Sequence, residues 1–179
     1  YAAACTLVDD GRLEGAAASS PFDGEGVATG RRAIVRQGRL ESFLYDLRAA
    51  SREGRSPPGH GVRPNYKEPP RVGTTNLWFE GGRGTGEDLI REMGKGFWIQ
   101  QLIGVHTADP VTGEFSLGAT GCWVEGGRRS FPVRGVAVSG NLHELMATVV
   151  RVGSDLKFYQ GFGAPSLLVS AVDVGGDPS

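Results

Sequence analysis

Three histidines, two cysteines and scattered carboxylates are the side chains of this sequence best suited to chemistry. His143-Glu144 begins the pattern of a zinc metallopeptidase helix, in which a second histidine one turn later binds the same metal. The next four residues contain no histidine, so we predict no metal role for His143 and a helix-capping role for Glu144. His60 lies in a Pro/Gly-rich segment, where we expect it to be solvated.

The cysteines indicate packing rather than catalysis. Cys122 adjoins the bulky Trp123, which favours a small buried residue over a nucleophile. Cys5 and Cys122 alone do not make a disulfide framework, so we expect a reducing, cytosolic compartment. Four carboxylates have no partner that spacing identifies, and we expect each to fix a turn rather than transfer protons: Asp23, Glu25, Asp109 and Glu114.

The segment from Asp109 to Gly127 is the most informative part of the chain. A turn containing Pro110 leads into a strand where Gly118, Ala119 and Gly121 replace the branched residues that strands prefer. Such residues let another backbone or a ligand approach closely. Two interpretations stay open: a surface along which an extended peptide binds, or a tightly packed interior strand. Exposure of Gly118 and Ala119 on a cleft would separate them.

Composition bounds the class of protein. A chain of 179 residues can form one domain with a core, and its net charge of -1 disfavours sequence-independent binding to nucleic acid. No apolar run is long enough to span a bilayer, and the first residues lack the basic start of a signal peptide. Because the sequence begins with Tyr1 rather than Met, we expect a fragment of a longer protein.

The local patterns predict an α+β fold, a predominantly antiparallel β-sheet domain with two or three short helices over residues 1–179. Helices are expected over 46–53, after a capping box of Thr85 and Asp88, and over 142–150 with Asn141 as N-cap. Gly54–Gly73 is predicted to be a mobile loop. Strands are predicted at residues 6–8, 27–36, 40–45, 76–80, 97–103, 114–124, 130–138 and 166–174. We also predict a turn at residues 9–11, a hairpin around Gln37-Gly38, and a second hairpin of 114–124 with 130–138.

Taken together, these segments resemble the C-terminal domain of the TldD/PmbA family, the modulators of DNA gyrase. The matching pieces follow the family's order over nearly the whole chain. They are Leu7-Val8-Asp9-Asp10, residues 20–27, Asn76-Leu77-Trp78-Phe79-Glu80, Leu89-Ile90 with 93–96, residues 109–127, Ser139-Gly140-Asn141-Leu142, Val152-Gly153-Ser154-Asp155 and residues 165–169.

The resemblance implies a zinc-dependent peptidase of two subunits. TldD-like members carry an upstream HExxxH zinc helix and a late cysteine ligand, whereas PmbA-like (TldE) members lack both. No cysteine lies between Asp155 and Val169, which places this chain with the PmbA/TldE branch. We therefore expect a cytoplasmic, non-catalytic subunit without metal ligands, its zinc supplied by a TldD-like partner, acting on unfolded or modified peptides.

Both the expected partner and the expected role have an alternative. The chain could assemble with itself as a homodimer, or act as a non-enzymatic interaction module that regulates through assembly, as the family's gyrase name suggests. The sequence identifies no catalytic residue. Five positions are our candidates for substrate binding along the small-residue strand and the turns before it: His106, Thr112, Glu114, Ser116 and Gly118. Two departures from the family pattern are the diverged loop 54–73 and Glu114, where Asp is usual.

Overall fold

Strands dominate the secondary structure of the protein, which is a computed structural model that describes residues 1–176. The helices are α1 (Leu47–Arg52), α2 (Gly86–Met93) and α3 (Leu142–Ala147), with a 3-10 turn at Val105–Thr107. In chain order the strands are β1 (Leu7–Asp10), β2 (Arg31–Arg36), β3 (Arg39–Leu40), β4 (Gly61–Val62), β5 (Arg71–Val72), β6 (Leu77–Phe79), β7 (Gly96–Ile103), β8 (Glu114–Glu125), β9 (Arg128–Asn141), β10 (Val149–Val152), β11 (Lys157–Tyr159), β12 (Phe162–Ala164), β13 (Leu167–Val169) and β14 (Asp173–Gly175). The predicted α+β class is confirmed.

These elements fall into two compact units. The first unit comprises residues 5–80 and 156–165, and the second comprises residues 1–4, 81–155 and the described residues from 166 onward. Our prediction of a single domain stays a prediction. No helix within residues 1–176 combines the length and the apolar character needed to cross a membrane.

The first unit is built on one sheet with the strand order β11-β12-β6-β1-β2-β3. All its pairs are antiparallel except β12 with β6. The predicted hairpin between β2 and β3 is confirmed, although both strands are shorter than expected. Gln37 and Gly38 both have positive φ, as the tightest hairpin turns require. The first helix is also confirmed, because the Asp46 side chain caps α1 and Gly54, with positive φ, follows its end.

The second unit contains an antiparallel sheet with the order β14-β9-β8-β7 and a separate pair of β10 with β13. Its long hairpin of β8 and β9 matches the prediction for 114–138 and extends beyond it. The predicted capping box is confirmed: Thr85 and Asp88 bond to each other's backbone N–H groups at the start of α2. Leu89 and Ile90 bury the apolar face of this helix.

Three predictions of local structure are wrong. Asp9 and Asp10 do not form a turn but complete β1, because their backbone pairs with Arg32 and Arg31 of β2. The third helix ends at Ala147 rather than near Val150, since Val149 begins β10, which pairs with β13. The predicted strand 166–174 is two strands, β13 and β14, which pair in different sheets.

Candidate functional site

A tight turn in the second unit contains two of the five predicted substrate-binding residues. Asp109 organises it: its Oδ1 accepts hydrogen bonds from the N–H groups of Thr112 at 3.0 Å and Val111 at 2.7 Å. These donors, Thr112 first, lower the pKa of the exposed Asp109 carboxyl below its ordinary value of 3.8. The backbone closes the turn, since the Asp109 N–H donates to the Glu114 carbonyl and the Gly113 N–H to the Asp109 carbonyl. Asp109 therefore fixes a turn, as its sequence context predicted.

Asn141 brings Thr112 and Glu114 together. Its Nδ2 donates to the Thr112 carbonyl at 2.9 Å and to Glu114 Oε1 at 3.0 Å. Its Oδ1 accepts from the His143 N–H at 2.9 Å, which is the predicted N-cap of α3. The sequence indicated only the cap. The link to Glu114 follows from register, because Glu114 and Asn141 are opposite each other where the β8–β9 hairpin begins.

Of the remaining three candidates, two continue along β8 on the same face as Glu114, and His106 lies apart. Ser116 and Gly118 are two residues apart on β8 and share one face of the sheet. Ser116 is exposed, and Gly118 is half-buried with Ile103 of β7 opposite it. His106 is exposed in the 3-10 turn between β7 and β8. Within residues 1–176, no hydrogen bond, ion pair or ring contact joins the His106 side chain to the other four.

The small-residue strand is an interior strand of its sheet. β8 pairs with β7 on one side and β9 on the other, and Ala119 is only 1% exposed. A Cβ on Gly121 would overlap the carbonyl oxygen of Trp98, next to the point where β7 carries one extra residue. The close approach that the sequence indicated is therefore made by the neighbouring strand. Of the two interpretations, the pairing favours the interior strand, because both edges of β8 are already paired and offer no free backbone groups to an added peptide strand.

The first unit contains a buried polar pair that the sequence analysis missed. His60 is 2% exposed and Asp9 is 0% exposed, and their Nε2 and Oδ2 atoms are 2.9 Å apart. Asp9 also accepts hydrogen bonds from the backbone N–H of Thr75 at 2.8 Å and from its hydroxyl at 2.7 Å. The prediction that His60 is solvated is therefore wrong. Among the described residues, His60 Nδ1 is a buried atom without a hydrogen-bond partner.

Two glycines make the burial of His60 possible. A Cβ on Gly59, whose φ is 83°, would overlap the carbonyl of Ala28. A Cβ on Gly61 would overlap the carboxylate of Glu25. Asp23 accepts the Gly61 N–H at 2.8 Å and so fixes the same segment. Part of the predicted mobile loop 54–73 is thus packed, and β4 pairs with β5 inside it.

Asn76 extends the polar network along the same strands. It is fully buried, and its Nδ2 donates to the Asp10 carbonyl at 2.8 Å while its Oδ1 accepts from the Ala18 N–H at 3.0 Å. The first-unit motifs that carry the resemblance, around Asp9, Asp23 and Asn76, thus hold this unit together. The signal in the sequence was polar residues within or next to short apolar segments.

The side chains that the structure describes do not form a metal cage. Within residues 1–176, no three or more His, Cys, Asp or Glu side chains converge as metal ligands. The partners of Asp9 are one imidazole and the backbone and hydroxyl of one threonine, which leaves no second nitrogen or sulfur ligand for zinc. We assign no step of metal chemistry to these residues.

Comparison with known proteins gives a consistent set of relatives. A sequence profile described as the PmbA/TldA metallopeptidase C-terminal domain matches residues 1–176. Metalloprotease PmbA of Escherichia coli O157:H7 is 32% identical over 160 residues, which are 89% of this chain and 33% of that protein. The chain thus spans about a third of the length of the curated relatives it matches.

Two solved structures share the fold. A candidate modulator of a DNA gyrase from Thermotoga maritima MSB8 superposes with a TM-score of 0.91 and 35% identity, covering 97% of this chain and 40% of that one. TldE from Thermococcus kodakarensis superposes with a TM-score of 0.86 over 98% of this chain and 40% of that one. Its identity is 24%, so this second likeness concerns the fold alone.

Proposed function

We propose, from the premise that this chain belongs to the PmbA/TldD metallopeptidase family, that it is the C-terminal domain of a non-catalytic, PmbA/TldE-like subunit. In this proposal a TldD-like partner supplies zinc, and with it an activated water, to a two-subunit cytoplasmic peptidase. Unfolded or modified peptides are the substrates. The role of this chain is to form part of the wall against which the peptide is held.

The segment between Asp155 and Val169 carries the proposal. The resemblance puts a late cysteine ligand of the TldD-like branch there, and this chain has none. Its residues form the tight β11–β12 hairpin, with Gln160 at positive φ. Both cysteines are buried elsewhere, and desolvation raises the pKa of the Cys5 thiol, which disfavours the thiolate that zinc requires.

Metal analysis of the full-length protein, alone and with a TldD-like subunit encoded beside it, tests this proposal. We expect stoichiometric zinc in the mixture, zinc-dependent peptide cleavage by the mixture, and neither from this protein alone. Chelation followed by zinc reloading of the partner before mixing is the control for loss of activity by unfolding. Stoichiometric zinc bound by this protein alone would refute the branch assignment.

We further propose that His106, Thr112, Glu114, Ser116 and Gly118 contact substrate through the surface they expose rather than through backbone pairing with β8. The substitution Glu114→Gln distinguishes substrate contact from a role in holding the turn. It keeps an oxygen that can accept from Asn141 Nδ2 and removes only the charge. Glu114→Gln and Ser116→Ala should raise KM for partner-dependent cleavage. Unchanged KM and kcat in both folded variants would exclude the contact.

A second candidate function, an interaction module acting by assembly, is favoured by one observation. β7 is the outer strand of its sheet within the described residues, and Leu102 and Ile103 at its end are exposed, as is the following Val105. Exposed apolar side chains beside the unpaired edge of a strand suit contact with another protein. Light scattering of the full-length protein with Ile103→Lys tests it: dissociation of an assembly, with no change in peptide cleavage, would favour this function over the first.

A further inference from the structure

Three large apolar side chains are exposed at the start of α1 and in the segment before it, in the first unit. Leu40, Phe43 and Leu47 are 58%, 64% and 44% exposed, although they occupy only eight consecutive positions. Beside them is an open cavity of about 450 Å³, a size within the range of small-ligand and side-chain sites. It is lined by Phe43, Leu44, Tyr45, Ala49, Arg52 and Glu53. Exposed apolar side chains next to an open cavity indicate a binding surface.

The segment of the chain that contains this cavity carries a strongly positive net charge. Residues 31–71 contain ten Lys or Arg and four Asp or Glu, a net charge of +6 in a chain whose total is -1. Some of these arginines are neutralised locally, because Arg31 pairs with Glu80 and Arg36 with Glu41. Arg48 and Arg52 are exposed one helical turn apart on α1 and form no ion pair with any described residue. Two like charges at this spacing destabilise a helix slightly. An anion bound between them would offset their repulsion.

We infer that this cavity binds a segment of the unfolded substrate polypeptide that is acidic and carries one apolar anchor residue. The inference rests on the proposed function and names the class of peptide that the first unit selects. The anchor enters the cavity against Phe43 and Ala49, and carboxylates on either side of it pair with the guanidinium groups, which bind carboxylates in two-point fashion. Glu53 on the cavity wall repels carboxylates from the interior, so the apolar side chain is the one that enters.

Fluorescence anisotropy on the full-length protein tests the inference with three short labelled peptides. The first is rich in Asp and Glu around a central Leu, the second has that Leu replaced by Gly, and the third has Lys in place of the acids. We expect only the first to bind tightly and its binding to weaken as salt screens the charges. Replacing Ala49 with Leu, which fills the cavity, should weaken binding of the first peptide.

The charge variants form a matched pair. Arg48→Gln with Arg52→Gln removes the two unpaired charges and should weaken binding about tenfold for each arginine. Arg31→Gln with Arg36→Gln removes the same charge from the same segment, but these arginines are already paired, so binding should stay within about twofold. Thermal unfolding of both double variants checks that each is folded.

Several results would overturn the inference. These are equal binding of the acidic and lysine peptides, no binding in the full-length protein, insensitivity to the Arg48 and Arg52 changes, or binding of an oligonucleotide in place of the peptide. Cleavage assays with the TldD-like subunit keep the two hypotheses apart. If acidic and lysine peptides are cleaved with the same KM, the proposed function stands and this inference fails. If neither is cleaved, the proposed function fails, and anisotropy still decides the inference.

Discussion

At the scale of single residues, the fully buried carboxylate of Asp9 depends on hydrogen bonds from its neighbours in the first unit. Removing a carboxylate from water costs several kcal/mol unless hydrogen bonds and charge compensate it. Thr75 supplies two of these bonds and His60 the third. The same three residues join β1, the segment before β4 and the segment before β6. The pair therefore connects parts of the chain that are far apart in sequence.

His60→Ala should destabilise the protein by about 3 kcal/mol, because it leaves Asp9 buried with one partner fewer and opens a cavity. His60→Gln places an amide nitrogen near the position of Nε2 and should recover more than half of that loss. Urea unfolding followed by circular dichroism measures both values. Equal stability of His60→Ala and the wild type would mean that Asp9 does not depend on this partner.

At the scale of elements, the β8–β9 hairpin shows how a neighbouring strand can require a small residue at one position. Gly121 is required because β7 carries an extra residue opposite it, which brings the Trp98 carbonyl against its Cα. At the other end, the Asp109 turn and Asn141 fix where the hairpin begins. Strand register and turn chemistry thus agree on one alignment of β8 with β9.

Gly121→Ala should therefore cost about 3 kcal/mol of stability, since the new methyl group meets backbone rather than a movable side chain. Gly175→Ala on β14 is the matched control, because a Cβ there has no atom within 4 Å. We expect the control to stay within about 0.5 kcal/mol of the wild type. Denaturant midpoints compare the two, and equal losses would argue that the overlap is relieved by a small backbone shift.

The turn before β8 should depend on pH through Asp109. Its folded pKa lies below 3.8, so its contribution is complete above that value and is lost as pH falls through the folded pKa. NMR titration of the Thr112 amide should give a midpoint below 3.8. Asp109→Asn keeps an accepting oxygen but does not titrate, so the Thr112 shift should become independent of acid pH. A wild-type midpoint at or above the ordinary value would contradict the hydrogen-bond geometry.

At the scale of the whole molecule, the buried polar network and the candidate substrate contacts lie in different units. The first unit contains the buried Asp9–His60 network and the arginine-rich surface at α1. The second unit contains the five candidate substrate contacts and the outer strand β7. Neither unit brings together three metal-binding side chains within the described residues.

Chelation should therefore leave the folding of this protein unchanged. Metal ions stabilise a fold by binding a formed cage, and the converging ligands that such a cage needs are not found in residues 1–176. We expect the thermal unfolding midpoint in EDTA to equal that in zinc-containing buffer, while the mixture with a TldD-like subunit loses cleavage. A fall of several degrees in EDTA for this protein alone would reveal a structural metal.

The sequence by itself determined the features that depend on neighbours in the chain. The capping box of Thr85 and Asp88, the Gln37-Gly38 turn, the cap at Asn141 and the long β8–β9 hairpin follow from local hydrogen bonds and alternating side chains. Family membership, too, was contained in the order of short motifs.

Only the tertiary structure decided what lies next to what. His60 has the local surroundings of a solvated loop histidine, yet Asp9, 51 positions away, binds it in the interior. The glycines of β8 indicated a close approach, but whether a ligand or a strand made it depended on the pairing of β7. Burial and strand order come from contacts between distant segments, and local propensity does not encode which segments those are.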